Sequence, residues 1–172
     1  MVRELPTAVD PTASVGVHTA YLAHCDALVR RTRQLVGDPQ LAEDLVTEAF
    51  ARLLTHWDTV RSPRPWLYAT TAHLVSDHWR KRGREAAAYD RLQQGVVRAV
   101  EQPDVLDRVD LLWVRAAVEQ LPARLRLTVV LHYFLDLPVA EVALRLGKSE
   151  GAVKRDLHDA RMLLALRMHG TR

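Results

Sequence analysis

The chain holds one cysteine in 172 residues, so no disulfide can form within it. Cys25 has no second Cys and no His at metal-ligand spacing, because His24 beside it points elsewhere on a helix. It reads as a small core residue. The eight histidines form no i,i+4 pair, the spacing that presents two ligands on one helix face. No metal and no other cofactor is expected. There is no Gly-rich phosphate loop and no nucleophile elbow, so no catalytic residue is assigned and the chain is not expected to be an enzyme. No apolar run approaches the ~18 residues that span a bilayer. The opening MVRELPTAVDPTASVG lacks the apolar centre of a signal peptide. No membrane partner follows from this, and a cytoplasmic location is expected. Glycine is scarce, at 7, and strand-like alternation is missing.

Ala, Leu, Arg and Glu dominate instead, which indicates an all-α fold. Net charge is +3 with a pI near 9.3. That permits a nucleic-acid partner without requiring one. Residues 1–16 carry Pro6, Pro11 and Gly16 and read as a flexible N-terminal arm. From Val17 a helical stripe begins, with Tyr21, Cys25, Leu28, Thr32 and Leu35 on one face. Gly37-Asp38-Pro39 stops it and starts a second helix running to about Thr55, with Asp38 as N-cap and Pro39 at the first helical position. A loop at Arg61–Pro65 leads to a third helix, about Trp66 to Arg82. Between Gly83 and about Arg108 the pattern weakens and reads as a linker. Helical periodicity resumes from Val109, and further helices run from Pro122 to about Leu135, from Pro138 to Leu146 and from Ser149 to about Met168. The expectation is two small helical domains joined by a flexible linker. The arm is 1–16, the first domain 17–85, the linker 86–108 and the second domain 109–172.

The second domain ends in a helix-turn-helix pattern. Gly147 supplies the left-handed residue that ends one helix, and Ser149 caps the next. Val142, Leu146, Val153 and Leu157 are spaced to pack the pair. The outer side of the last helix carries Lys154, Arg155, His158 and Arg161. In a major groove, Arg grips guanine bidentately and Lys meets phosphate. The plainer alternative is a solvated face in which Glu150, Asp156 and Asp159 offset these cations.

Two other faces stand out. Glu43, Asp44, Thr47 and Glu48 cluster on the outer side of the second helix. An acidic face does not suit DNA; it suits a basic or polar protein surface. On the third helix, Trp66, Thr70, His73, Asp77 and Arg80 lie along one side. Rings and cations together are what separated nucleic-acid strands bind. Trp66 and Trp79 are equally good core residues.

The segment VEQLPARLRLTVVLHYFLDLPVAEVALRLGKSEGAVKRDLHDARMLL resembles region 4 of the bacterial sigma-70 family, especially its short extracytoplasmic-function (ECF) group. LVGDPQLAEDLVTEAFARLLTHW and PWLYATTAHLVSDHWRKRGR resemble region 2 of the same family. Two departures are Ala152, where the family usually has Thr, and His73, where it often has Asn. The resemblance implies an RNA polymerase sigma factor that binds core polymerase, recognises the −10 and −35 promoter elements and directs initiation. It implies that Glu43, Asp44, Thr47 and Glu48 dock on the β′ clamp helices and that the second domain meets the β flap. It assigns the −35 element to Lys148, Ser149, Lys154, Arg155, His158 and Arg161. The melted −10 element falls to Arg61, Ser62, Arg64, Trp66, His73, Asp77, Arg80 and Lys81, with the Arg61, Ser62 and Arg64 loop around a flipped base. Promoter DNA, core polymerase and an anti-sigma factor are the implied partners. The competing reading is a stand-alone helix-turn-helix regulator with a sensing or dimerising first domain. An acidic helix followed by an aromatic-basic one has no use in such a sensor.

Overall fold

The computed structural model describes residues 11–92 and 106–169, all helix and turn. Helices α1 (Pro11–Val36), α2 (Pro39–His56) and α3 (Pro63–Leu92) form the first lobe, with a single 3-10 turn at Trp57–Thr59 between the last two. Helices α4 (Leu106–Glu119), α5 (Ala123–Val129), α6 (Val139–Leu146) and α7 (Glu150–His169) form the second. A π-helical turn, Val130–Phe134, extends α5.

Each boundary has a local cause. Gly37 closes α1 at φ 76°. Asp38 Oδ1 then accepts the backbone N–H groups of Gln40 and Leu41 at 2.9 and 3.2 Å, and Pro39 occupies the first helical position. Two of the four orphan donors of α2 are thereby satisfied. Gly147 ends α6 at φ 61°, and the Lys148 N–H returns to Ala143 O at 2.9 Å. Ser149 Oγ accepts from Ala152 N at 3.2 Å and opens α7.

The helices extend further than the sequence pattern predicts. Residues 11–16, expected in a flexible arm, form the first turns of α1. Helix α3 continues to Leu92, into the span expected as linker from residue 86. Ala86–Ala88 are the strongest helix formers available, and Lys81 and Glu85 pair one turn apart at 3.8 Å. Gly83 is carried along with open space around it. Helix α4 likewise begins at Leu106 rather than Val109. The part of the expected linker at 93–105 lies outside the described residues.

Leu28, Leu35, Val46, Leu53, Leu67 and Val75 are sealed inside the first lobe. Leu125, Leu131, Leu135, Val142 and Val153 fill the second. Each such side chain contributes about 1.5–3 kcal/mol. The two cores are continuous: α1 and α3 pack against α4, α5, α6 and the π-helical turn, and all the buried apolar side chains of the described residues except Ala13 and Ala117 belong to one cluster.

Candidate nucleic-acid interface and acidic face

The helix-turn-helix forms as its spacing predicts. Val142, Val153 and Leu157 are buried between α6 and α7, Leu146 is half-buried, and Ala143 allows close approach. Lys154, Arg155, His158 and Arg161 are all exposed on the far side of α7. No ion pair among the described residues engages them. Ser149 is exposed but its hydroxyl is used as the cap of α7.

Asp156 departs from the sequence reading. It faces inward, only 4% exposed, instead of offsetting cations on the surface. Lys148 Nζ donates to its Oδ2 at 2.7 Å, and Arg124 from α5 pairs with Oδ1. Arg124 also reaches Asp159 at 3.5 Å. A buried carboxylate needs such partners. Lys148, predicted to contact DNA, is thus held against the protein, while Lys154, Arg155, His158 and Arg161 further along α7 stay available. The outer face of α7 is more positive than a count along the helix suggests. The signal was in the register: residue 156 lies three after Val153 and four before Ala160, on their face.

On α3, His73, Asp77, Arg80 and Lys81 are exposed, at helical spacing along one stripe. Arg80 donates to Asp77 at 2.8 Å. Trp66 is half-buried at the edge of this stripe, its ring 6.1 Å from that of His56. Trp79 lies in the core, 2% exposed. Arg61 and Ser62 are exposed in the turn before α3, whereas Arg64, expected in that loop, lies in the first turn of α3, exposed, with its guanidinium 5.1 Å over the Tyr68 ring. Burial, and secondarily Arg64, lower the His24 pKa below its usual range.

The acidic face of α2 also forms. Glu43, Asp44, Thr47 and Glu48 are exposed, with Glu48 accepting from Arg52 at 2.8 Å and Asp44 from Gln40 at 3.1 Å. Beside it, a cavity of about 370 Å³ opens between α1 and α2, lined by Tyr21, Cys25, Asp26, Glu43 and Thr47 among others. Cys25 is half-buried at its wall rather than sealed in the core. A hydrogen bond with Cys25, more than Asp26 and Glu43 nearby, raises the Tyr21 pKa above the ordinary phenol value. Among the described residues no group of His, Cys, Asp and Glu is placed to hold a metal ion. No helix among them is long and apolar enough to cross a membrane.

A helix-turn-helix with exposed Lys and Arg on its last helix, joined to a three-helix lobe with one acidic and one aromatic-basic face, is the architecture of a DNA-binding protein of the helix-turn-helix class. Residues 20–85 match sigma-70 region 2 and residues 111–164 match sigma-70 region 4. The chain is 31% identical over 150 residues to the ECF RNA polymerase sigma factor SigL of Mycobacterium tuberculosis, covering 85% of each protein. It is 34% identical over 139 residues to the RNA polymerase sigma-E factor of Streptomyces coelicolor, covering 78% of this chain and 76% of that one. The chain belongs to the sigma-70 family, in its ECF group, and is an RNA polymerase sigma factor. The fold agrees. The sigma factor RpoE of Bartonella quintana, solved with the anti-sigma factor NepR, superposes with a TM-score of 0.63 at 22% identity, over 91% of this chain and 99% of that one. CnrH, solved with the cytosolic domain of CnrY, gives 0.64 at 19% identity, over 94% and 95%.

Proposed function

We propose that this sigma factor divides its work between the two lobes. The first lobe, α1 to α3, docks on the β′ clamp helices of core polymerase through Glu43, Asp44, Thr47 and Glu48. The α3 stripe of Trp66, His73, Asp77, Arg80 and Lys81, with Arg64 in the first turn of α3 and Arg61 and Ser62 before it, holds the separated strands of the −10 element. The second lobe, α4 to α7, sits at the β flap and reads the −35 duplex with Lys154, Arg155, His158 and Arg161. Ser149 and Lys148 stand at the start of that helix, though Lys148 must leave Asp156 to reach a phosphate. The chemistry of RNA synthesis is the polymerase's, and the working location is the cytoplasm. An anti-sigma factor is a fitting regulator, since the similarly folded RpoE of Bartonella quintana was solved with one.

The observation that carries this reading is the separation of charge. Three exposed cations and His158 on α7, and three exposed carboxylates on α2, lie on different lobes. The test is correspondingly separable. Arg155→Ala weakens −35 duplex binding about 5-fold or more, the lower end for one good base contact, and leaves core binding intact. Asp44→Ala weakens core binding and leaves the duplex contact intact. Fluorescence titrations against core enzyme and against duplex DNA measure both. Loss of core binding and of duplex binding together by either substitution contradicts the division of labour. Tight duplex binding with no effect on core polymerase favours the stand-alone regulator.

A further inference from the structure

A glycine inside a helix weakens it, because the residue loses most freedom on folding and brings no side chain to pack. Gly16 stands inside α1 all the same, in its first turns. Ala13 and Ala20, three residues before it and four after, are buried on the same side of the helix. What lies against Gly16 is the indole of Trp57, from the 3-10 turn between α2 and α3. A Cβ at residue 16 would come within 2.0 Å of Trp57 Cζ2, 2.5 Å of Cη2 and 2.7 Å of Cε2. All three distances are far inside van der Waals contact. The ring therefore rests on bare backbone, and a side chain at residue 16 would displace it.

Trp57 opens the segment that carries Arg61 and Ser62. Its carbonyl accepts the Val60 N–H at 3.1 Å, and Thr59 Oγ1 donates to His56 O at 2.8 Å, so residues 56–60 form one bonded turn. Half-buried Val60 packs against the core. His56, next to Trp57, sets its ring 6.1 Å from that of Trp66 at the edge of the α3 stripe. Downstream, Ser62 O accepts the Trp66 N–H at 3.4 Å and so joins the start of α3. Arg61 alone stands between these two bonded units, and one residue spans at most about 3.6 Å. The segment has no slack in which to absorb a shift of Trp57. Such a shift passes to Arg61 and Ser62.

Resting on the −10 reading above, we propose that Gly16 and Trp57 are positioning residues for −10 recognition: the indole, seated on the bare backbone of α1, fixes the turn that presents Arg61 and Ser62 to an unstacked base. Both act through that turn rather than by touching DNA. Order in the turn matters because a loop that must be immobilised on binding gives up affinity. Residues 11–16, which read as a flexible arm in the sequence, thereby serve promoter recognition by carrying the seat of Trp57.

The test uses the full chain assembled with core polymerase. The probe is the non-template −10 single strand of a promoter found by start-site mapping, either intact or with one base at a time removed. The wild-type complex should favour the intact strand over the weakest abasic one by about 5-fold or more, the lower end for one stacked base. Gly16→Ala should bring that ratio toward one and leave core affinity and −35 duplex affinity unchanged. Trp57→Phe withdraws the outer edge of the ring. In that background Gly16→Ala should change the ratio less than it does alone, a coupling that a double-mutant cycle reads. Full discrimination retained in Gly16→Ala, or an equal effect of Gly16→Ala with Trp or Phe at residue 57, overturns the positioning role. So does a fall of all three affinities together with the melting temperature, which would mark general unfolding. A wild-type complex that does not distinguish intact from abasic strands overturns the −10 reading instead, so the two failures are distinct.

Discussion

At the scale of single residues, Asp156 is the most informative position. Its side chain is 6% exposed and takes one cation from the turn before α7 and another from α5. Asp156→Ala leaves two cations without their anion, but both can turn to water, so the expected loss is about 1–3 kcal/mol. Asp159, 49% exposed and 3.5 Å from Arg124, should cost under about 0.5 kcal/mol on the same change. Urea unfolding of the two variants checks the contrast. Equal losses would show that the pairing is not what anchors α7. His24 gives a pH test. Its folded-state pKa lies below the usual value, chiefly through burial. The unfolded chain therefore binds a proton more readily, and stability is lost as pH falls through about 6.5. His24→Gln should flatten the fall in Tm between about pH 7.5 and 5.5, as calorimetry would show. An unchanged slope would mean that His24 does not couple to folding. Lys148 shows what single-residue reading misses. Its position at the start of α7 was legible, but its engagement by Asp156 depends on a buried acid and on Arg124, which lies 32 residues away in the chain.

At the scale of elements, punctuation was far more legible than extent. Gly37-Asp38-Pro39 and Gly147-Lys148-Ser149 each carry their own stop and start chemistry, and both junctions form as read. Where no stop residue exists, periodicity alone underestimates a helix: α3 runs past Arg82 because Ala86–Ala88 propagate a helix without needing an apolar face. The π-helical turn had no sequence signal; it runs into the turn at Asp136, a residue held at φ 57°. Two substitutions separate cap from conformation. Asp38→Ala removes the side-chain acceptor of α2 and should cost about 1 kcal/mol. Gly147→Ala meets no atom within 4 Å, so its cost is the left-handed backbone alone, about 1–2 kcal/mol. Thermal melts read both. A Gly147→Ala loss much above that range would mean that the turn is packed more tightly than its open surroundings indicate.

At the scale of the whole molecule, the sequence shows two modules, and the structure shows them packed into one core. Neither module's apolar periodicity reveals that α1 and α3 bury surface against α4, α5 and α6, and the polar ties between them come from arginines, which read as solvent-facing in any linear pattern. Both candidate nucleic-acid faces, by contrast, were legible as exposed stripes because helical spacing alone fixes them. On the proposed reading those stripes meet phosphate, which predicts that promoter binding is salt-dependent, with log affinity falling linearly in log salt at a slope near −0.9 per neutralised phosphate. Removing Lys154 should reduce that slope by about one, as titrations across a salt series would show; an unaltered slope would exclude Lys154 from the phosphate contacts. The central claim is that this chain converts core polymerase into an initiating enzyme. The direct measurement is run-off transcription by purified core polymerase on fragments of the source genome, with and without the chain. Discrete start sites that appear only with the chain, and fade together with Arg155→Ala or Asp44→Ala, are the predicted result. Identical transcripts with and without it would contradict the account.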